Sequence, residues 1–521
     1  MFWKKKKPEE EELDRLISSM DSKNVSESLS AVSSIVKMGT GSPELVREYL
    51  VPMMPKLLED GKVHVRTRAA FTLSGLIFAA PELRGDLIKY AIELLRHKDR
   101  TMRLYAAGLL GRVAVEAPEH LKAFMGEIKE LLRGRDELRA FDASFALGEI
   151  GFGAPFLVED VIPTMTELLE KRAELIVNSF NSITLKSPML IKGSVPRLVE
   201  VVKRTKDLNI SWGISTLLAR LSHTSAEVAE ELVLPYVETL LEGKTGFARA
   251  SAVYMIGEIG IRYPDLIRKH LPRMSGLSTD HESIVRTFSA LSMGRVCYRS
   301  PELAATLVPE LLKLFNDMND TVRGAAAISL RYVAASSPGR VEPIIQKLSK
   351  MLEDRDQVLR GFASIGLRLV SQVAPDIVSD IAERVSERVA EGNVHVRRGA
   401  AFILHVISTI PDPDIDRGIL PEVVRLLDDQ DSNVKVRAVL ALKSLVPAFP
   451  DLAKAQAPRI LELLDDKDGL IRMQASSFFG EIAYYHPEAV KDLVLSKMVI
   501  LLEDREQQVR NAAALSLGKI L

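Results

Sequence analysis

The sequence predicts an all-α fold, a solenoid of about fourteen helix pairs repeating roughly every 37 residues. Three observations predict it. A marker arginine, most often in Val-Arg, returns at Arg66, Arg103, Arg249, Arg286, Arg323, Arg360, Arg397, Arg437, Arg472 and Arg510, and every step from Arg249 to Arg397 is 37 residues. Prolines punctuate the intervals in a fixed phase. The composition is 47% hydrophobic but only 6% aromatic, rich in Ala, Leu, Val and Glu, which favours helices over sheets.

At 521 residues the chain is too long for one ordinary globular core. Charged residues make up 27% and nearly cancel, for a net charge of -1, so no global field draws the chain to nucleic acid or anionic membrane. The one cysteine, Cys297, excludes an internal disulfide framework and any multi-cysteine metal site. With no apolar stretch of 18 residues, the expectation is a soluble, cytoplasmic protein without integral membrane contact.

Residues 1–13, "MFWKKKKPEEEEL", place four lysines before four glutamates and predict a solvated, flexible charged tail. The same lysines with Phe2 and Trp3 would make a weak membrane anchor, opposed by the acids that follow. Residues 14–40 read as a polar, degenerate N-terminal capping repeat, with Ser26 in the marker slot. The continuous array follows over 41–521. Ala140, Val177 and Ser211 fill the marker slots between Arg103 and Arg249.

Within each unit the first helix opens at a proline, as at Pro43, Pro81, Pro118, Pro155, Pro188, Pro264, Pro301, Pro338, Pro375, Pro450 and Pro487. A second proline often follows eight residues later, as at Pro163, Pro196, Pro272, Pro309 and Pro458, and predicts a bend. A polar turn leads into the second helix. There an acid three or four residues before the marker, as in Asp99/Arg103, Asp320/Arg323, Asp356/Arg360, Asp468/Arg472 and Glu506/Arg510, suits the helix dipole and permits a pair on the same helix. Small residues such as Ala326 and Ala327 then allow close approach of neighbouring helices. A helix pair cannot bury its apolar face alone, and stacking buries it.

The proline-opened first helix and the pattern D-x-x-x-VR-x-x-A-A-x-x-L-G resemble the HEAT repeat of phosphatase scaffold subunits, importin-β receptors, clathrin-adaptor large chains and condensin subunits, over about residues 14–521. The resemblance implies a right-handed α-α superhelix with an extended concave surface that binds other macromolecules. The matching residues are structural, so they do not select a partner.

A search for chemistry returns no P-loop, G-x-G-x-x-G, H-E-x-x-H, G-x-S-x-G or paired-cysteine motif. The nine histidines are scattered over separate units, and His64 and His395 share one repeat slot, which suits a turn or capping role. Cys297 reads as a packed small hydrophobe. No catalytic residue, cofactor or metal is therefore expected.

The array is irregular over 155–220. Markers are absent at Val177 and Ser211, and the step between them shrinks to 34. Residues 171–220 hold nine basic against three acidic side chains, a net +6. Lys186, Lys192, Arg197, Lys203, Arg204 and Lys206, with Asn178, Asn181 and Trp212 on second helices, form the candidate partner-binding set. One reading is a positive groove with an aromatic anchor for an acidic or phosphorylated protein segment. The other is a drifted pair of repeats with a solvated basic face. "STIPDPDIDRGILPE" at 408–422 stretches one step to 40 and reads as a longer loop. The chain ends inside an apolar helix, "SLGKIL", which suggests either an exposed amphipathic end or packing on a partner or second copy.

The function expected is a non-catalytic scaffold or adaptor holding protein partners. A nucleic-acid-associated protein using 171–220 is the first alternative, and a lyase-type enzyme or enzyme subunit, without motif support, the second.

Overall fold

In a computed structural model of the chain, the structure describes residues 7–336 and 420–521, with scattered positions between. Among the described residues every element is helical. Two compact units form: residues 1–164 with 450–521, and residues 165–449. Arg360, Pro338, Pro375, His395 and most of 408–422 lie outside the described residues.

The repeat is two-layered, as the periodicity requires. Second helices are long and continuous: Val63–Ala79, Arg100–Glu116, Glu137–Gly153, Gly246–Arg262, Ser283–Arg299 and Asp320–Ser336. Side-chain caps start several of them. Asp99 accepts from Thr101 N at 2.9 Å, Asp207 from Asn209 N at 2.7 Å and Asp468 from Leu470 N at 2.9 Å. The acid before the marker therefore serves as an N-cap.

First helices differ from the expected bent rods. In four units the opening proline starts a single 3-10 turn, at Pro81–Leu83, Pro118–His120, Pro155–Leu157 and Pro301–Leu303, while Pro43, Pro264, Pro450 and Pro487 open α-helices. The second proline then sits in the first turn of a new short helix, in Ile162–Leu168, Val195–Arg204, Leu271–Gly276 and Ala457–Leu463. A proline is cheapest where its missing N–H had no partner, so the chain breaks there instead of bending. Only Pro309 stays inside a helix among these, in Ala304–Lys313. The unit after Ser211 has no opening proline, and Val228–Val233 is a π-helical turn.

The marker arginine couples neighbouring helix pairs. Its Nη1 donates to the carbonyl six residues back, as from Arg286 to Asp280 O at 2.8 Å and from Arg472 to Asp466 O at 2.8 Å. Its other nitrogens grip a carboxylate in the next turn. Arg249 meets Asp280 at 2.7 and 2.8 Å, Arg286 meets Asp317 at 2.6 and 2.8 Å, and Arg472 meets Asp504 at 2.8 Å twice. Arg66 pairs with Asp99 and Arg397 with Asp429 in the same manner, whereas Arg103, together with Arg100, reaches Asp142 inside the next second helix, Glu137–Gly153. Asp280 therefore binds Arg249 with its side chain and Arg286 with its carbonyl. The expected pairs along one helix are corrected accordingly: Asp99 and Asp468 cap their helices while Arg103 and Arg472 reach forward, and among the described residues only Asp320–Arg323 of the expected pairs forms locally, Asp356/Arg360 lying outside them. Bidentate geometry across half-buried turns wins because it satisfies both the guanidinium and the turn carbonyls.

Burial alone would raise the carboxyls of Asp280, Asp317 and Asp504, yet their arginines hold each below the usual carboxylate range. A depressed carboxylate contributes stability fully present above its unfolded pKa, about 3.9, and lost as pH falls through the folded value. Stability is therefore expected to hold near neutrality and to fall below about pH 4. Denaturant midpoints measured from pH 7 to pH 2.5 check this; a midpoint flat across that range contradicts it.

In the first unit, residues 8–13, read as part of a flexible tail, belong to a helix. Helix Pro8–Ser19 buries Leu13, because amphipathic spacing outweighs its run of acids. The last helix, Gln507–Ile520, packs against Arg100–Glu116 of the same chain. Two glycines make this possible. A Cβ on Gly108 would lie 2.2 Å from Leu515 O, and one on Gly518 would lie 2.2 Å from Tyr105 O. Buried charges close the contact: Lys519 Nζ reaches Glu149 at 2.9 Å and Glu481 at 3.4 Å, Tyr484 bonds Glu149, and Arg112 donates to Ile520 O at 3.1 Å. Self-association through the C-terminal repeat thus loses its physical basis, since the apolar face that called for a second copy is covered within the chain.

In the second unit, Gly246–Arg262, Ser283–Arg299 and Asp320–Ser336 stack in sequence. Gly257 faces Ser292 and Gly294 faces Ser329, with a Cβ on Gly294 only 2.9 Å from Ser329 Cα. Cys297 is fully buried in this stack.

Candidate partner-binding face

The second unit carries every residue of the candidate set, distributed over both layers. Asn178 and Asn181 lie on Ala173–Thr184, and Trp212 lies on Leu208–Ser222, all on second helices. Arg197, Lys203 and Arg204 lie on the first-layer helix Val195–Arg204. Lys186 follows the end of Ala173–Thr184, Lys192 sits in the 3-10 segment Pro188–Ser194, and Lys206 occupies the turn before Leu208.

The cations are partly neutralised where they stand. Arg197 meets Glu170 at 2.6 Å, while Lys203 and Arg204 share Glu200 at 2.9 and 3.5 Å. The Lys203 ammonium holds the Glu200 carboxyl below its ordinary range. Lys192 and Lys206 are exposed and make no ion pair among the described residues. The structure therefore does not gather the net positive charge of 171–220 around Trp212.

The second-helix layer is differently equipped. Trp212 is half-buried, with its ring centroid 4.6 Å from Tyr254 and 5.1 Å from Phe288; Tyr254 and Phe288 are 5.8 Å apart, edge to face. Three consecutive second helices thus contribute one aromatic step, with Leu208 exposed at its margin. Such pairs add about 0.5–1.5 kcal/mol beyond area burial and fix the rings in place. Beneath them Ser251 accepts from or donates to Ser211 at 2.9 Å and accepts from Ser215 at 2.7 Å. The cavity against these rings holds only about 10 Å³, so the rings are packed, with Trp212 the half-exposed member, and form no ligand chamber.

Asn181 and Arg220 form a support. Arg220 donates from Nη1 to Asn181 O at 3.0 Å and Oδ1 at 3.1 Å, and Asn181 donates to Val177 O at 3.0 Å. Burial pulls the Arg220 guanidinium down to about 10. Asn181 is therefore committed within the fold, whereas Asn178 is exposed. Tyr254 and Phe288 were not singled out from sequence: they stand at different offsets from their markers, so no repeat slot flags them.

The repeat geometry, with proline-opened first arms, continuous second helices and arginine-coupled turns, decides the fold. The chain is a HEAT-repeat solenoid. Its residues 395–505 match the family described as "Adaptin N terminal region", and residues 284–373 match "non-SMC mitotic condensation complex subunit 1". Solved structures agree over nearly the whole HEAT array. The "Kap95:Nup1 complex" superposes with a TM-score of 0.58 at 15% identity, covering 97% of this chain and 71% of that one. The karyopherin Kap121p bound to Ste12p gives 0.54 at 13%, and Kap121p bound to the SUMO protease Ulp1p gives 0.53 at 14%. Each of these two covers 98% of this chain, which spans 61% of their length. No curated protein sequence matches.

No helix among the described residues is long and apolar enough to cross a membrane. Among the same residues no three His, Cys, Asp or Glu side chains gather as a metal site.

Proposed function

We propose that this HEAT-repeat chain is a non-catalytic, cytoplasmic scaffold or adaptor that holds a protein partner on the second-helix layer of residues 165–449. The observation that carries the reading is the aromatic cluster in which half-exposed Trp212 is fixed against buried Tyr254 and Phe288, with Leu208 exposed at its margin. Tryptophan and tyrosine dominate binding hot spots because they offer large area at low entropic cost. Lys192 and Lys206, exposed and in no ion pair among the described residues, favour a partner segment bearing acidic or phosphorylated residues. The similar karyopherin structures bind protein segments, which supports a protein partner over a small substrate.

Nucleic-acid binding is weaker as a reading, because Arg197, Lys203 and Arg204 are already paired with glutamates and few cations remain for phosphates. Affinity purification of the tagged chain from its native extract, eluted stepwise in salt, separates the two. A defined protein at near-equal stoichiometry is expected. Polynucleotide released at moderate salt, without a protein companion, would overturn the proposal.

A further inference from the structure

The first unit contains a cavity that partner binding does not use. It measures about 600 Å³ and lies between the N-terminal turn at Ser22–Val25, the start of helix Val63–Ala79, and residues 499–504. That size falls within the range of small-molecule sites. Its walls mix apolar and charged groups, with Val25, Val63 and Ile500 opposite Lys23 and Arg68.

Arg68 sets its chemistry. The side chain is only 4% exposed, and no carboxylate among the described residues lies within ion-pair distance. Its Nε donates to Ser28 Oγ at 2.9 Å, Nη1 makes one long contact of 3.4 Å to Thr67 Oγ1, and the guanidinium stands 5.6 Å from the Phe71 ring. These partners are neutral. A desolvated guanidinium with only hydroxyl acceptors lacks the counter-charge that buried arginines ordinarily have. Burial pulls its pKa down, against the opposing field of Glu503.

The other charged groups at the cavity are mostly committed. His64 Nε2 sits 2.8 Å from Asp21 Oδ1, and Lys62 also binds Asp21. Asp504 is held by Arg472 at 2.8 Å. Lys23 and Glu503 are exposed, and neither forms an ion pair among the described residues. The marker arginines Arg66, Arg103, Arg249, Arg286, Arg323, Arg472 and Arg510 each bond turn carbonyls; Arg68, two residues past the marker Arg66, is outside that scheme.

We propose that this cavity binds a small amphipathic anion, its oxyanion head on Arg68 and Lys23 and its apolar body against Val25, Val63 and Ile500. The planar guanidinium matches a phosphate or carboxylate with two parallel hydrogen bonds, and the valines and Ile500 offer apolar surface to the ligand's body.

Isothermal titration of the full chain with phenyl phosphate and with benzoate tests this and separates phosphate from carboxylate ligands. Saturable 1:1 binding of at least one probe is expected. Arg68→Gln should weaken it at least tenfold. Ile500→Glu, a change at an exposed position, should do the same through charge repulsion while melting like the parent. Removing the competing charge with Glu503→Gln should strengthen binding. The proposal is overturned if neither probe binds the parent chain, or if Ile500→Glu and Arg68→Gln bind as the parent does.

Discussion

Replacing Gly108 by valine is expected to destabilise the first unit by about 3 kcal/mol or more. A Cβ at this position would stand 2.2 Å from Leu515 O and 3.1 Å from Lys519 N, both backbone atoms that cannot rotate away. Helix Gln507–Ile520 would have to retreat from Arg100–Glu116. Retreat would pull Lys519 from Glu149, and a buried carboxylate left without its ammonium adds its own penalty. The reciprocal change, Gly518→Val, meets Tyr105 O at 2.2 Å and should cost a similar amount. Chemical denaturation followed by circular dichroism reads the effect. Unchanged midpoints for both variants would mean that the two helices do not touch.

Asp280→Ala should cost about 3 kcal/mol, through a different mechanism. The side chain is 6% exposed and accepts two hydrogen bonds from Arg249, itself 11% exposed. Asp280 also accepts from Glu282 N at 2.9 Å, so its loss loosens the turn into the next helix. The larger share of the penalty comes from leaving Arg249 buried without a counter-charge. The double variant Arg249→Met/Asp280→Ala should therefore recover much of the loss. A double variant as unstable as the sum of the single changes would show that the pair is not coupled.

The stacked architecture was legible because it repeats. Each marker arginine, opening proline and small-residue pair appears many times, so agreement between units substitutes for any single strong signal. The partner of the marker was legible too, though at another spacing. The aspartates at 280, 317 and 504 stand six residues before markers Arg286, Arg323 and Arg510, and each serves the arginine of the preceding unit. A reading confined to one helix, three or four residues back, misses a contact that only stacking creates.

The contact of Gly518 with Gly108 could not be read. The two positions are about four hundred residues apart, and glycines occur at similar offsets in several units. Nor could the layer of each basic residue be assigned from net charge. Arg197, Lys203 and Arg204 share a window with Trp212 but stand on a first-layer helix, because adjacency in sequence crosses the turn between layers. Trp212 was legible as a rare residue in an irregular stretch. Its partners Tyr254 and Phe288 come from the next two helix pairs, and only the stack brings them together.

The most direct test of the account is the affinity of the retained protein partner for the parent chain and for Trp212→Ala, measured by titration with the variant's fold checked by circular dichroism. The account predicts a loss of at least tenfold for the variant, the scale of a hot-spot aromatic. Equal affinities would contradict it and move partner binding away from the aromatic step.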